Sequence, residues 1–104
     1  MSSDKVLSML GLAMRAGRIK SGSFQVEKTI DKNSAKLILF CEDSDTATLK
    51  MLREKADKKG IPCYSHGTME TLGHAIGKED RSCVAVTDEG FANASKGYFE
   101  KTKE

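Results

Sequence analysis

Apolar positions along the chain alternate between a helical period and short continuous runs. A helical period begins near Ser3, and Gly17 stands where a left-handed residue would end the helix. The apolar positions of this first helix are Val6, Leu7, Leu10 and Met14. Residues 18–21 contain one strong strand former and predict a brief strand that leads to Gly22. Residues 23–33 then predict an amphipathic helix, with Val26 and Ile30 inward and Glu27, Lys28, Asp31 and Lys32 outward.

The middle of the chain contains the clearest strand. Residues 36–41 form an almost continuous apolar run between polar residues, which is typical of a strand buried on both faces of a sheet. We expect Ser44 or Asp45 to cap the helix that follows, and Gly60 to end it. Residues 61–64 predict a third, short strand.

The last third of the chain repeats the alternation. Thr68 is expected to cap a short helix, and residues 77–82 form a polar loop after it. Residues 83–87 predict a fourth strand, and Asp88 a cap for the final helix. The charged tail, residues 100–104, is expected to fray. Strands alternating with helices predict a three-layer α/β/α sandwich around a buried sheet.

Length and composition place the chain among small globular proteins. It has 104 residues, of which 38% are hydrophobic and 31% charged, so we expect one domain over residues 1–104. The first residues lack a secretory pattern, and no window approaches the roughly 18 apolar residues of a membrane span. Cys41, Cys63 and Cys83 are odd in number and widely spaced, which fits neither a disulfide framework nor a zinc pair. A cytoplasmic protein with three free thiols and no membrane partner is expected.

Charge is distributed unevenly although the formal net charge is only +2. Residues 1–36 carry seven Lys or Arg and three Asp or Glu, a balance of +4, while the remainder carries ten and twelve, a balance of -2. The first third of the chain can therefore form a basic face on a nearly neutral molecule.

Side chains that could support catalysis or bind a metal do not form a known pattern. His66 and His74 lack a nucleophile or carboxylate at a recognised spacing, and a structural role is favoured for both. Asp43, Asp45 and Asp88 follow strands, where acids can bind a metal, but each also precedes a helical pattern and suits a helix cap. We predict no catalytic residue, no metal site and no cofactor.

Several short motifs, taken in order, resemble one family of proteins. They are residues 15–17 (Arg-Ala-Gly), Gly22, Lys28, residues 35–41, residues 61–62 (Ile-Pro), residues 72–77 (Leu-Gly-x-Ala-x-Gly) and residues 84–88 (Val-Ala-Val-Thr-Asp). From about Leu7 to Ala94 the chain resembles the kink-turn-binding ribosomal proteins, most of all their small bacterial YlxQ-like branch. The resemblance implies a mixed four-stranded sheet between helices. It also implies non-catalytic binding of structured RNA, either ribosomal RNA or a kink-turn-like element, by a monomer associated with the ribosome or with translation factors.

The resemblance also indicates where RNA would bind. Kink-turn-binding relatives carry Gly-x-Asn-Glu-x-x-Lys at the start of the second helix; Gly22 and Lys28 match it, while Phe24 and Gln25 replace its Asn and Glu. In those relatives, apolar residues of the loop after the Leu-Gly helix shelter an extruded base. The corresponding loop, residues 78–82, contains no apolar residue, but Lys78 and Arg81 can reach phosphate.

The residues themselves support an RNA site at the start of the second helix. A helix that begins at Gly22 presents unpaired backbone N–H groups and a partial positive charge, which attract phosphate. Cations near it in sequence are Arg15, Arg18, Lys20, Lys28 and Lys32. Ser23 can bond phosphate or ribose, Gln25 can read a base edge, and Phe24 can stack on an unpaired base.

Three alternatives stay open at this point. Gly22 can simply permit a tight turn, Phe24 can pack in the core as large aromatics usually do, and the cations can form a solvated face. At the level of function, the fold can instead serve as a protein-interaction module that has lost kink-turn binding. An enzyme is disfavoured because no phosphate loop, metal spacing or nucleophile motif is present.

Overall fold

The computed structural model describes residues 4–102, over which five helices alternate with four strands. In chain order the elements are α1 (Lys5–Arg15), β1 (Ile19–Ser21), α2 (Ser23–Asp31), β2 (Leu37–Phe40), α3 (Ala47–Lys58), β3 (Cys63–Ser65), α4 (Met69–Ala75), β4 (Cys83–Val86) and α5 (Glu89–Thr102). The order of strands and helices is the one that the apolar pattern predicts.

The four strands form one mixed sheet in the order β1-β4-β2-β3. Strand β4 is antiparallel to both β1 and β2, with Ile19 opposite Val86 and Leu39 opposite Val84. Strands β2 and β3 are parallel, and Ile38 pairs with Cys63. The predicted mixed four-stranded sheet is therefore confirmed.

Helices cover both faces of the sheet and bury its two central strands. Helices α2 and α3 pack together in one layer, while α1 packs against α4 and α5 in the other. Every residue of β2 and β4 is buried, and Leu37, Ile38, Leu39 and Phe40 are fully so. Because all four of its residues are fully buried, β2 lies at the centre of the core. Burying each side chain of this size stabilises the fold by roughly 1.5 to 3 kcal/mol. The three-layer α/β/α prediction is confirmed.

Side-chain caps start four of the helices. Asp4 accepts the Leu7 N–H at 3.0 Å and starts α1; Ser3, where the helical period was expected to begin, lies outside the described residues. The predicted caps Thr68 and Asp88 are confirmed, since each accepts a backbone N–H three residues later. The residue that caps α3 is Thr46.

Two local expectations about caps are wrong. Neither Ser44 nor Asp45 caps α3, because the Thr46 hydroxyl accepts the Leu49 N–H at 3.2 Å. Asp43 instead accepts the Met69 N–H at 2.9 Å, so its carboxylate supports the start of α4, which is distant in sequence.

Several element boundaries also differ from the expectation, most of them by one or two residues at an end. Strand β3 spans Cys63–Ser65 rather than residues 61–64, because the Ile61 N–H bonds to Ala56 at the end of α3. Helix α5 continues to Thr102, so the tail is helical from residue 100 to 102; residues 103–104 lie outside the described part. Phe99 stacks on Tyr64 with 4.3 Å between ring centroids, which fixes the second half of α5 against β3.

Within residues 4–102, no helix combines the length and the apolar character that a bilayer span requires.

Candidate functional site

The connection between β1 and α2 depends on the backbone conformation of Gly22. Its φ of 88° and ψ of 153° lie in a backbone region that residues with a Cβ rarely adopt. The Gly22 N–H donates to the Cys83 carbonyl at 3.0 Å, and its own carbonyl accepts the Val26 N–H at 2.9 Å. Gly22 thus makes the tight turn, and the N–H groups that can face a ligand belong to the residues after it.

The N-terminus of α2 has no side-chain cap, in contrast to the four other helices of the described chain. The N–H groups in the first turn of a helix have no partner within the helix, and a cap normally accepts one of them. At α2 these groups belong to Ser23, Phe24 and Gln25. This end of the helix therefore presents donors and a partial positive charge.

Three lysines meet in a cavity of about 210 Å³ beside that helix start. The cavity is lined by Lys20, Gln25, Lys28, Thr29, Lys32, Ser34 and Thr87. Four of these residues were predicted from the sequence to contact RNA, and the lining contains no carboxylate. The three lysines are exposed, so the cavity is an open, cationic surface.

The sequence pattern did not indicate three hydroxyl residues of the cavity, Thr29, Ser34 and Thr87. Thr29 lies four residues after Gln25, a spacing that puts both on one helix face and could have revealed it. The Thr29 hydroxyl donates to the Gln25 carbonyl at 2.8 Å. Thr87 and Ser34 are brought here by β4 and by the loop after α2, which no local pattern indicates.

The acids of α2 face away from the cavity. The Lys55 ammonium on α3 lies 3.0 Å from the Glu27 carboxylate and 2.8 Å from that of Asp31. Hydrogen bonds to Asp31 and then to Glu27 raise the pKa of Lys55. The helical period predicts Glu27, Lys28, Asp31 and Lys32 as outward residues; in the structure the two acids pair with α3, and the two lysines line the cavity.

Phe24 lies on the surface, so a core position for this residue is wrong. Its exposed fraction is 69%, and the Lys28 ammonium lies 5.2 Å from the centroid of its ring. Helix α2 buries Val26, Thr29 and Ile30, and the helical period then turns position 24 outward. Lys28 contacts the ring and also lines the cavity, so the ring lies next to the cationic cavity.

The loop before β4 brings Arg81 to the same region. The Arg81 guanidinium donates to the Ser21 hydroxyl at 3.1 Å and to the Asp80 carbonyl at 2.9 Å, so it lies at the end of β1. Lys78 is exposed at the other end of the loop. Arg18 is also exposed, and neither Arg18 nor Lys78 lines the cavity.

Of the two histidines, His66 has a structural partner, whereas His74 is exposed on α4. His66 lies 2.8 Å from the Asp4 carboxylate and edge-on to Phe99. Burial alone would raise the pKa of Asp4, but the Leu7 N–H and the His66 ring bring it below its ordinary value. Burial raises the pKa of Cys83 to about 11. Among residues 4–102, no three metal-ligating side chains come together.

Comparison with known proteins gives a family and several relatives. The model of the ribosomal protein L7Ae/L30e/S12e/Gadd45 family matches residues 4–95. The RNA-binding protein YlxQ of Bacillus subtilis (strain 168) is 42% identical over 93 residues, which cover 89% of this chain and 93% of that protein. Large ribosomal subunit protein eL8 of Haloquadratum walsbyi is 34% identical over 93 residues, which cover 88% of this chain and 78% of that protein.

Solved structures have the same fold. A protein with unknown function from Bacillus halodurans C superimposes with a TM-score of 0.87 and 34% identity, covering 92% of this chain and 97% of the other. The 15.5kD RNA binding protein of Giardia lamblia superimposes with a TM-score of 0.81 over 97% of this chain and 92% of the other. At 18% identity the second match supports the architecture alone.

Proposed function

The chain belongs to the ribosomal protein L7Ae/L30e/S12e/Gadd45 family, and we propose from this membership that it binds structured RNA without catalysis, as a ribosomal or ribosome-associated protein. Relatives that cover most of the chain are named an RNA-binding protein and a large ribosomal subunit protein. Ribosomal RNA or a kink-turn-like element is the proposed ligand. We further propose that residues 1–104 act as one RNA-binding domain and as a monomer.

The proposed contact surface surrounds the start of α2. It consists of Gly22, Ser23, Phe24, Gln25, Lys28, Lys32, Arg18, Lys20, Lys78 and Arg81. The observation that carries the proposal is the cavity in which Lys20, Lys28 and Lys32 meet without a carboxylate, directly beside the uncapped helix start. Lysines supply charge to RNA phosphates, and free N–H groups at a helix start supply donors to them.

Ion pairs between α2 and α3 support the proposal that RNA binds α2 through positive charge. Both acids of α2 are paired with Lys55 at the α3 side of the helix, where its single positive charge offsets part of their negative charge. An RNA backbone that approaches Lys28 from the opposite side therefore meets unpaired positive charge. Such binding releases counterions and weakens as salt rises.

A cytoplasmic location and association with ribosomes or translation factors follow as proposals from the same family membership. Sedimentation of a cell lysate tests them, because a ribosome-associated protein moves with ribosomal subunits at low salt and is released when phosphate contacts are screened. A protein found only at the top of the gradient at every salt concentration would contradict ribosome association.

A binding measurement on the full chain tests the function itself. The protein is titrated with a ribosomal RNA fragment, a kink-turn RNA and an unstructured RNA of equal length, at several salt concentrations. We expect one structured RNA to bind more tightly than the unstructured one. The logarithm of its binding constant should fall linearly with the logarithm of the salt concentration. Absence of binding to every RNA at low salt would contradict the proposal and favour a protein-interaction module on this fold.

A further inference from the structure

Phe24 is the most exposed large apolar side chain among residues 4–102. Only Leu12, at 49%, approaches its exposed fraction of 69%. Phe24 lies in the first turn of α2 next to free backbone donors, whereas Leu12 lies near the end of α1. A ring this exposed buries little apolar surface in the fold, so most of its apolar area is available to a partner.

The surroundings of the ring indicate the chemistry of its partner. Lys28 holds the ring by a cation–π contact and also lines the cavity, together with Lys20 and Lys32. An apolar protein surface would have to desolvate these ammonium groups without neutralising them, at high cost. A nucleotide instead offers an aromatic base for the ring and a phosphate for the lysines. Charge complementarity therefore favours a nucleic acid.

We propose that Phe24 makes this site selective for RNA that presents an unpaired base, which stacks on the ring while the adjacent phosphate enters the lysine-lined cavity. The inference rests on the proposed RNA-binding function and narrows its ligand to bulges, loops and other unstacked nucleotides. A base inside a continuous duplex has both faces covered by its neighbours and cannot reach a side-chain ring. Gln25, exposed on the cavity wall, can hydrogen-bond the edge of the stacked base.

Fluorescence of 2-aminopurine tests the proposal. Two hairpins of equal length carry this base, one in a single-nucleotide bulge and one paired within the stem. We expect the parent protein to bind the bulged hairpin more tightly and to quench its fluorescence by stacking. Phe24→Ala should lose roughly 5- to 150-fold in affinity for the bulged hairpin, the range for one base on one aromatic ring, and should bind the paired hairpin like the parent.

Two further variants separate stacking from other effects of the ring. Phe24→Trp keeps an aromatic face and should retain binding and quenching, whereas Phe24→Leu keeps only apolar surface and should behave like Phe24→Ala. Since the ring is 69% exposed, Phe24→Trp should unfold at the parent's urea midpoint, and Phe24→Ala and Phe24→Leu should be destabilised by no more than the loss of the cation–π contact with Lys28.

The outcomes distinguish this inference from the proposed function. If the parent binds both hairpins equally, or if Phe24→Ala leaves the preference for the bulge intact, base stacking on Phe24 is excluded while RNA binding stands. If Phe24→Ala instead loses binding to a partner protein while its affinity for both hairpins is unchanged, the inference is overturned and Phe24 belongs to a protein-docking surface. If the parent binds no RNA at low salt, the proposed function fails together with it.

Discussion

The ammonium group of Lys28 lies 5.2 Å from the centroid of the Phe24 ring. The two residues are four apart on α2, so the helix itself sets their separation. A cation at this distance from an exposed ring contributes about 0.5 to 1 kcal/mol, which restricts the ring before any ligand arrives. The first turn of α2 thus joins an aromatic surface to a cationic one, and both depend on the turn that precedes them.

Gly22→Ala should reduce the free energy of unfolding by about 1 to 3 kcal/mol, because the backbone at φ 88° is strained for any residue with a Cβ. Urea denaturation measures the effect. Gly97→Ala is the matched control: Gly97 is exposed within α5 and nothing lies within 4 Å of its added Cβ, so stability should rise by about 0.5 to 1 kcal/mol. Equal effects of the two substitutions would refute the strain argument at Gly22.

Gln25→Ala should cost about 1 to 3 kcal/mol in binding the preferred structured RNA and little for an unstructured control, by analogy with base-edge contacts in DNA. Gln25 is exposed and lines the cavity, so its amide is available to a base edge. Fluorescence anisotropy with labelled RNA measures both affinities. Asn93→Ala removes an exposed amide from α5 and should change neither; an equal loss for both RNAs with Gln25→Ala would rule out base reading.

Ionisation of Asp4 should make the free energy of unfolding depend on pH in the acid range. Its folded-state pKa lies below the ordinary 3.8, so the ionised carboxylate stabilises the fold above about pH 4, and this contribution is lost as pH falls through the lowered value. Asp4→Asn keeps an acceptor for the Leu7 N–H but removes the charge. Urea denaturation from pH 7 to pH 2 should show the variant less stable at neutral pH and the difference closing below pH 4. A difference that is constant over this range would contradict the lowered pKa.

The three cysteines should be free and slow to react. Cys41 and Cys83 are buried, and burial raises the pKa of Cys63 and of Cys83 to about 11, so little thiolate exists at pH 8. Iodoacetamide at pH 8 should label the native protein slowly and all three thiols quickly in urea, as followed by mass spectrometry. Rapid labelling of native Cys83, or a disulfide in fresh protein, would be the contrary result.

Local sequence was sufficient to predict features that lie within a single helix or strand. The apolar run around Leu39 predicts a doubly covered strand because only a buried strand needs apolar residues on both faces. Thr68 and Asp88 were identified as caps because each precedes a helical period. The cationic spacing of Lys28 and Lys32 likewise predicts one helix face, and the structure places both at one cavity.

Local sequence did not resolve the remaining features, either because adjacent residues compete for one role or because distant parts of the chain are in contact. Thr46 rather than Asp45 caps α3, a choice among adjacent polar residues that local propensity does not resolve. The last helix continues past residue 100, and a stacking contact between Phe99 and Tyr64, distant in sequence, holds it against β3. The pairing of Lys55 with Asp31, which leaves the lysines of α2 available, depends on how α2 and α3 pack.

The salt dependence of RNA binding by Lys28→Ala is the most direct test of α2 as the contact surface. Affinities of the parent and the variant for the best structured RNA are measured over a range of salt concentrations. Removing one phosphate contact should weaken every RNA and reduce the slope of log K against log salt by about one. Lys50→Ala, which removes an exposed lysine from α3, should leave affinity and slope unchanged. If Lys28→Ala binds like the parent with the same slope, RNA does not contact this face of α2.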